Sequence, residues 1–168
     1  MSVSQLLATL ENLEKMHRSL LELANIKTEY IKAGDMESLD AHLKKEQTHV
    51  AAIETLEQMR QKQVMDYLEA KGLALAETPS IAHVIDITDG PEKEMLQQQR
   101  ERLLTVVTDL KEKNLLNQKL VLQSLQFVNL TLDMLKPQRH QTSTFNYSGD
   151  EVRGQGTVGK KSYFDSQA

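Results

Sequence analysis

The chain has 168 residues, 26% of them charged and 39% hydrophobic, with a net charge of −4 and no cysteine. This is the profile of a single water-soluble domain built without disulfides or thiolate chemistry. The acidic balance lacks the basic patch that broad nucleic-acid binding requires, and no apolar run reaches the roughly 18 to 20 residues that span a bilayer. Residues 1–15 lack the basic start and apolar core of a signal peptide, so the expected location is cytoplasmic, with no nucleic-acid binding and no membrane insertion.

Ser2 followed by Gln5 has the form of a capping box, and no Gly or Pro interrupts the chain before Gly34. The first helix is therefore predicted over 3–33. Its inner seam, Leu6, Leu10, Leu13, His17, Leu20, Ala24, Lys27 and Ile31, alternates steps of four and three as coiled-coil stripes do. The "AGD" at 33–35 supplies a turn and an N-cap for a second helix over 36–71. Met36, Leu39, Leu43, Val50, Ile53, Leu56, Val64 and Tyr67 are expected to face inward from it. A link this short implies an antiparallel hairpin.

Gly72 ends the second helix and opens the one irregular connection. Within it Thr78 and Pro79 read as a cap and first-turn pair for a short helix over 80–86, although residues 84–87 read equally well as strand. From "DGPE" at 89–92 a third long helix is predicted to run to 136, about 45 residues and nearly 70 Å. Its seam is Leu103, Val107, Leu110, Asn114, Asn117, Val121, Ser124, Val128, Thr131 and Leu135. Asn114 and Asn117 on that seam either set the register between helices or accept hydrogen bonds from a partner.

The end of this helix is unusual. Twelve of the twenty-one residues from 115 to 135 are apolar and they leave no clean polar face. Two neighbouring helices cover only part of such a helix, and the remainder reads as a surface for a partner. The expected mode is an amphipathic partner helix seated against Leu122, Leu125, Phe127, Leu130, Leu132 and Met134, with Asn117 and Asn129 as polar contacts at the edge. Pairing of two copies through the same surface, giving a homodimeric coiled-coil adaptor, is the competing expectation.

From Pro137 onward the chain is polar, contains four of the seven Gly and has no periodicity. It reads as a disordered tail that cannot offset the entropy of ordering. Phe145, Tyr147, Tyr163 and Phe164 are apolar anchors within it, suited to weak docking on a larger partner. The "GQGTVGKKS" at 154–162 has glycine spacings close to nucleotide-binding loops, but Lys161 stands where Ser or Thr would reach the metal, and no strand precedes it. His42 and His49 are two turns apart, too far to share a metal, and no nucleophile has a recognisable base. Neither a catalytic site nor a metal or cofactor site is expected, and the chain does not read as an enzyme.

The evenly spaced leucines of the first helix, the joint "AGDMESLDAHLKKE" and the stretch "LKEKNLLNQKLVLQSL" together resemble the FlgN family of flagellar export chaperones, and "FNYSGD" in the tail is similar to the aromatic and Gly segment with which such chains often end. The spacing of Asn114 and Asn117 adds to the likeness. The resemblance covers nearly the whole chain. It implies a cytoplasmic, non-enzymatic chaperone for the hook-filament junction proteins, the first and third hook-associated proteins. Such a protein keeps their helical terminal segments from assembling early and assists their delivery to the flagellar export gate, where the tail aromatics would dock. The fold expected is all-α, an elongated antiparallel three-helix coiled-coil-like bundle over 1–136 with a disordered C-terminal tail over 137–168.

Overall fold

The glycines punctuate the chain. Gly34, Gly72 and Gly90 all have positive φ near 70°, a region that costs glycine little and other residues more. In the computed structural model, which describes residues 2–73 and 79–136, these turns separate four helices: α1 (Val3–Ala33), α2 (Met36–Ala70), α3 (Ile81–Ile87) and α4 (Pro91–Leu135). The described residues contain no strand, so the all-α reading holds and residues 84–87 form helix rather than strand. The expected tail at 137–168 lies outside the described residues.

Local chemistry sets the ends of these helices. Asp35 caps α2, its carboxylate accepting from the Ser38 N–H at 3.0 Å, and hydrogen bonding to Ser38, the side chain first and the backbone second, holds the carboxyl below its ordinary pKa. Ser2 occupies the N-cap of α1 with extended backbone, but its side chain makes no capping bond, so the capping box expected with Gln5 does not form. At α3 the cap is Ser80 rather than Thr78. The Ser80 N–H donates to Nδ1 of His83 at 3.1 Å, and His83 thereby takes the place usually filled by Glu or Gln. Pro91 begins α4, where its missing N–H costs nothing.

Long-range hydrogen bonds define the arrangement. His42, His49 and Met59 of α2 meet Leu23, Ser19 and Thr9 of α1, descending along one helix as the other ascends, so these helices are antiparallel. Glu14 meets Gln99 and Thr28 meets Asn117, so α4 runs parallel to α1. The helix α1 is central, packed against both α2 and α4, whereas the backbones of α2 and α4 do not approach each other closely. The short α3 bridges them at one end, where the Tyr67 hydroxyl reaches Thr88 Oγ1 at 3.3 Å.

The main core lies at that same end. Leu6, Leu10, Leu13, Val64, Leu68, Ile81, Val84 and Leu96 form one cluster drawn from all four helices, with Leu10 and Leu13 fully buried at 0% exposure. Farther along α1 it thins to Leu20, Ala24 and Leu110. Of the inward face expected of α2, Val64 lies in this core with Ile53, Leu56 and Tyr67 packed against it, and the openness of the arrangement corrects only the first half. Met36, Leu43 and Val50 are exposed, because α2 meets only α1 along this stretch and no α4 backbone closes over them. His42 is buried there instead; its Nε2–H donates to the Leu23 carbonyl at 2.6 Å and its ring meets Tyr30 edge-on.

Glu14 joins α1 to α4 with a carboxylate that accepts from Arg18 on its own helix and from Gln99 Nε2 at 2.7 Å across the interface. Those two bonds, the Arg18 bond the larger, lower its pKa below the ordinary 4.5. A carboxylate whose pKa is lower folded than unfolded adds stability above its unfolded value and loses it as pH falls through the folded one. Urea unfolding from pH 6 down to about 3 should therefore show a loss of stability through this acid window that is smaller in Glu14→Gln; equal slopes would show that Glu14 carries none of it.

Candidate functional site

The register of α4 against α1 is held by one buried polar group. Asn117, only 3% exposed, donates from Nδ2 to the Ala24 carbonyl at 2.8 Å, and its Oδ1 accepts from the Thr28 hydroxyl at 2.6 Å. Both hydrogen-bonding ends of the amide are thereby used within the chain. Asn117 thus takes the register role, one of the two that its place on the seam allowed, and does not sit at the edge of the exposed surface as a contact for a partner. Asn114, one turn earlier, is exposed.

From this fixed point the geometry of the site follows. Thr28 is five residues before the end of α1 at Ala33, so at 1.5 Å per residue α4 draws level with that end near Leu122. About fourteen residues, roughly 21 Å of helix, continue past it. Every residue from 121 to 136 is exposed. The seam positions Val128 and Leu135, expected in the core, are bare because α1 ends before it can reach them, and Val121, level with that end, is left 39% exposed on the groove wall.

The proposed contact residues Leu122, Leu125, Phe127, Asn129, Leu130, Leu132 and Met134 all lie in this projecting segment and all are exposed. Phe127 is 70% and Met134 79% exposed, far beyond what scattered surface hydrophobics require. The segment keeps helical form because it continues a helix already nucleated by packing, and it contains neither Gly nor Pro. The hydroxyls of Ser124 and Thr131 turn back to the carbonyls of Leu120 and Phe127, each at 2.9 Å. The tail anchors Phe145, Tyr147, Tyr163 and Phe164, and the glycine-rich 154–162, lie outside the described residues.

Beside the root of this segment a groove of about 440 Å³ opens between α2 and α4, with α1 as its floor. Ile31, Leu39, Leu43 and Val121 supply its apolar walls, and Asn114, Asn117 and Gln118 supply amides. Lys27 at its edge is paired with Glu46 at 2.9 Å, both largely buried. The signal that marks the whole region is a lack of charge: Lys119 is the one ionisable residue from 114 to 132, whereas ten of the twenty-three residues from 91 to 113 are charged. Interfaces are depleted of charge in their centres, solvated helix faces are not.

A family model described as FlgN protein matches residues 1–153. The chain belongs to the FlgN family. This is a family of flagellar export chaperones, so a chaperone role in flagellar export is the general function of the protein. The chain is also 35% identical over 168 residues, the full length of both sequences, to the Bacillus subtilis (strain 168) protein named "Uncharacterized protein YvyG". No solved structure matches it. Among the described residues no helix is long and apolar enough to cross a membrane, and no cluster of His, Asp and Glu could hold a metal ion. His42 and His49 are engaged instead in hydrogen bonds between α1 and α2.

The register role of Asn117 can be measured. Asn117→Ala should lower unfolding free energy by about 1–3 kcal/mol, the cost of orphaning buried polar partners, with helical content unchanged. Urea unfolding checks it, and a change within about 0.5 kcal/mol would mean that packing alone holds the register.

Proposed function

We propose that this FlgN-family chain is a cytoplasmic chaperone that binds helical terminal segments of the hook-filament junction proteins, the first and third hook-associated proteins, on the projecting half of α4. It thereby keeps them from premature assembly and assists their delivery to the flagellar export gate. The observation that carries the reading is the exposed apolar surface at 121–135, joined to an apolar groove and almost free of charge. Leaving such surface in water forgoes about 25 cal/mol per Å², and an amphipathic client helix with anchors three and four residues apart recovers it. Leu122, Leu125, Phe127, Leu130, Leu132 and Met134 supply the apolar contact and Asn129 a polar one. Asn117 contributes indirectly, by holding α4 in place.

Titration of a labelled terminal peptide from a hook-associated protein, followed by sizing, tests the reading. The double substitution Leu125→Gln and Leu132→Gln should weaken binding about 100-fold or more, while helicity and Tm stay at wild-type values because both residues are exposed. Wild-type affinity in that variant would place the client elsewhere. The same surface also favours a second reading, a homodimeric coiled-coil adaptor, in which the chain remains a stable dimer that ignores the peptide.

The aromatics Phe145, Tyr147, Tyr163 and Phe164 are proposed to dock the chaperone on the export gate as weak apolar anchors. Truncation after Pro137 should leave helicity and Tm unchanged and reduce export of the hook-associated proteins. Undiminished export would show that the four aromatics are incidental.

A further inference from the structure

The projecting half of α4 has a second side that is apolar but carries a pattern of its own. Leu116, Leu120, Gln123, Phe127, Leu130 and Met134 follow one another at steps of four, three, four, three and four, the spacing of a coiled-coil seam. At about 100° per residue this seam lies roughly 100° round α4 from Asn117, and roughly 150° from the side on which Asn114 and Val121 wall the groove beside α2. Phe127, Leu130 and Met134 on it are exposed. The two flanks of the seam differ. Lys119, Gln126 and Asp133 line one, seven residues apart. Asn117, Ser124 and Thr131 line the other, with Asn117 buried against α1 and the two hydroxyls turned back to their own helix.

The charged flank is complementary to itself. Lys119 and Asp133 lie at equal distances on either side of Gln126 and carry opposite charges. In an antiparallel pair with its two-fold axis at Gln126, Lys119 of each chain therefore falls beside Asp133 of the other, on the flank where such charges set partner and direction. The same register sets Leu116 against Met134, Leu120 against Leu130 and Gln123 against Phe127, so every layer of the seam is filled. A parallel pair instead keeps Lys119 about 21 Å along the axis from Asp133 and matches neither charge. A carboxylate has two oxygens and accepts from more than one cation, so contacts of Asp133 within its own chain leave room for the pair. Leu116 also lines, with Leu21 and Asn25 of α1, a hollow of about 470 Å³ on this side of α4, and the antiparallel register brings Met134 of the second copy to it. A second copy supplies both charges at the required spacing because it is the same sequence.

We infer that two copies of this chain pair antiparallel through this side of α4, with Lys119 of each beside Asp133 of the other. Six seam side chains from each copy, on the order of 100 Å² apiece, reach the roughly 1,000 Å² at which specific interfaces begin. The polar Gln123 on the seam costs affinity and fixes the register, as single polar seam positions do. The inference rests on the chaperone reading only where it divides the exposed surface. Phe127, Leu130 and Met134 go to the pair, and Leu122, Leu125 and Leu132, on the side that continues the groove wall at Val121, remain for the client. Such a dimer, unlike the adaptor considered above, still binds the client.

Sedimentation equilibrium of the full chain tests the pairing. The wild-type chain is expected to be a dimer at about 100 µM. K119D and D133K should each weaken self-association by ~10-fold or more, because each sets like charges together twice in the pair. An equimolar mixture of the two should recover the dimer at wild-type strength, since every Asp then meets a Lys. F127Q with M134Q should weaken it likewise with helicity retained, while L125Q with L132Q should leave it unchanged and lose only the client peptide. A monomeric wild-type chain, a mixture no stronger than its components, a dimer indifferent to F127Q with M134Q, or a dimer lost in L125Q with L132Q would overturn the pairing and leave the chaperone reading standing. A dimer with all the expected responses that binds no labelled client peptide would support the pairing and overturn the chaperone reading.

Discussion

One buried amide decides where the functional surface begins. Asn117 is bonded to Ala24 and Thr28 of the central helix, and a slip of α4 by a single turn in either direction would withdraw the amide from both partners. Apolar contacts along a leucine seam tolerate such slips far better, because one leucine replaces another. The amide therefore converts a graded hydrophobic preference into one register, and that register sets the length of α4 that passes the end of α1. The site is defined by what the neighbours fail to reach rather than by any special conformation of its own.

The core is arranged to suit such an end. Its large cluster lies where α3 ties α2 to α4, and it thins to three residues where the projecting segment begins. Stability is thus concentrated away from the surface offered to a partner. Hydrogen bonds replace apolar bulk along the thin part: His42 to Leu23, His49 to Ser19, Lys27 to Glu46 and Asn117 to Thr28. Each of these is directional, so the three long helices keep their relative positions with few buried side chains between them. The groove beside α4 is a direct result, since α2 and α4 each hold α1 without closing on one another.

A helix of mostly apolar and neutral polar residues exposed over the fifteen positions from 121 to 135 is costly as surface and useful as a partner site. Its amides and hydroxyls keep it from being uniformly greasy, and the low charge, with Asp133 the one ionisable residue from 120 to 135, keeps the desolvation cost of contact small. Charged residues return as soon as α4 is traced back to the part that faces water beside its own bundle. The boundary in charge at 113 and 114 and the boundary in packing near 121 lie within about two turns of each other, so the surface begins chemically before it begins sterically.

Much of this was legible in the amino acids alone. Gly34, Gly72, Gly90 and Pro91 break the chain where the helices end, and six of the eight seam positions from Leu6 to Ile31 are buried, with His17 and Lys27 half-buried, because α1 has neighbours along its whole length. The apolar excess of 115–135 likewise announced a helix that its own bundle could not cover. The tertiary structure alone decided that Met36, Leu43 and Val50 of α2 stay bare, which of the two roles open to it Asn117 takes, and that Val128 and Leu135 belong to the bare segment. The reason is physical: a repeat of apolar residues records where they lie around a helix, but burial also depends on how far the neighbouring helices extend. That extent is set by long-range hydrogen bonds between residues some ninety positions apart, which no local periodicity encodes.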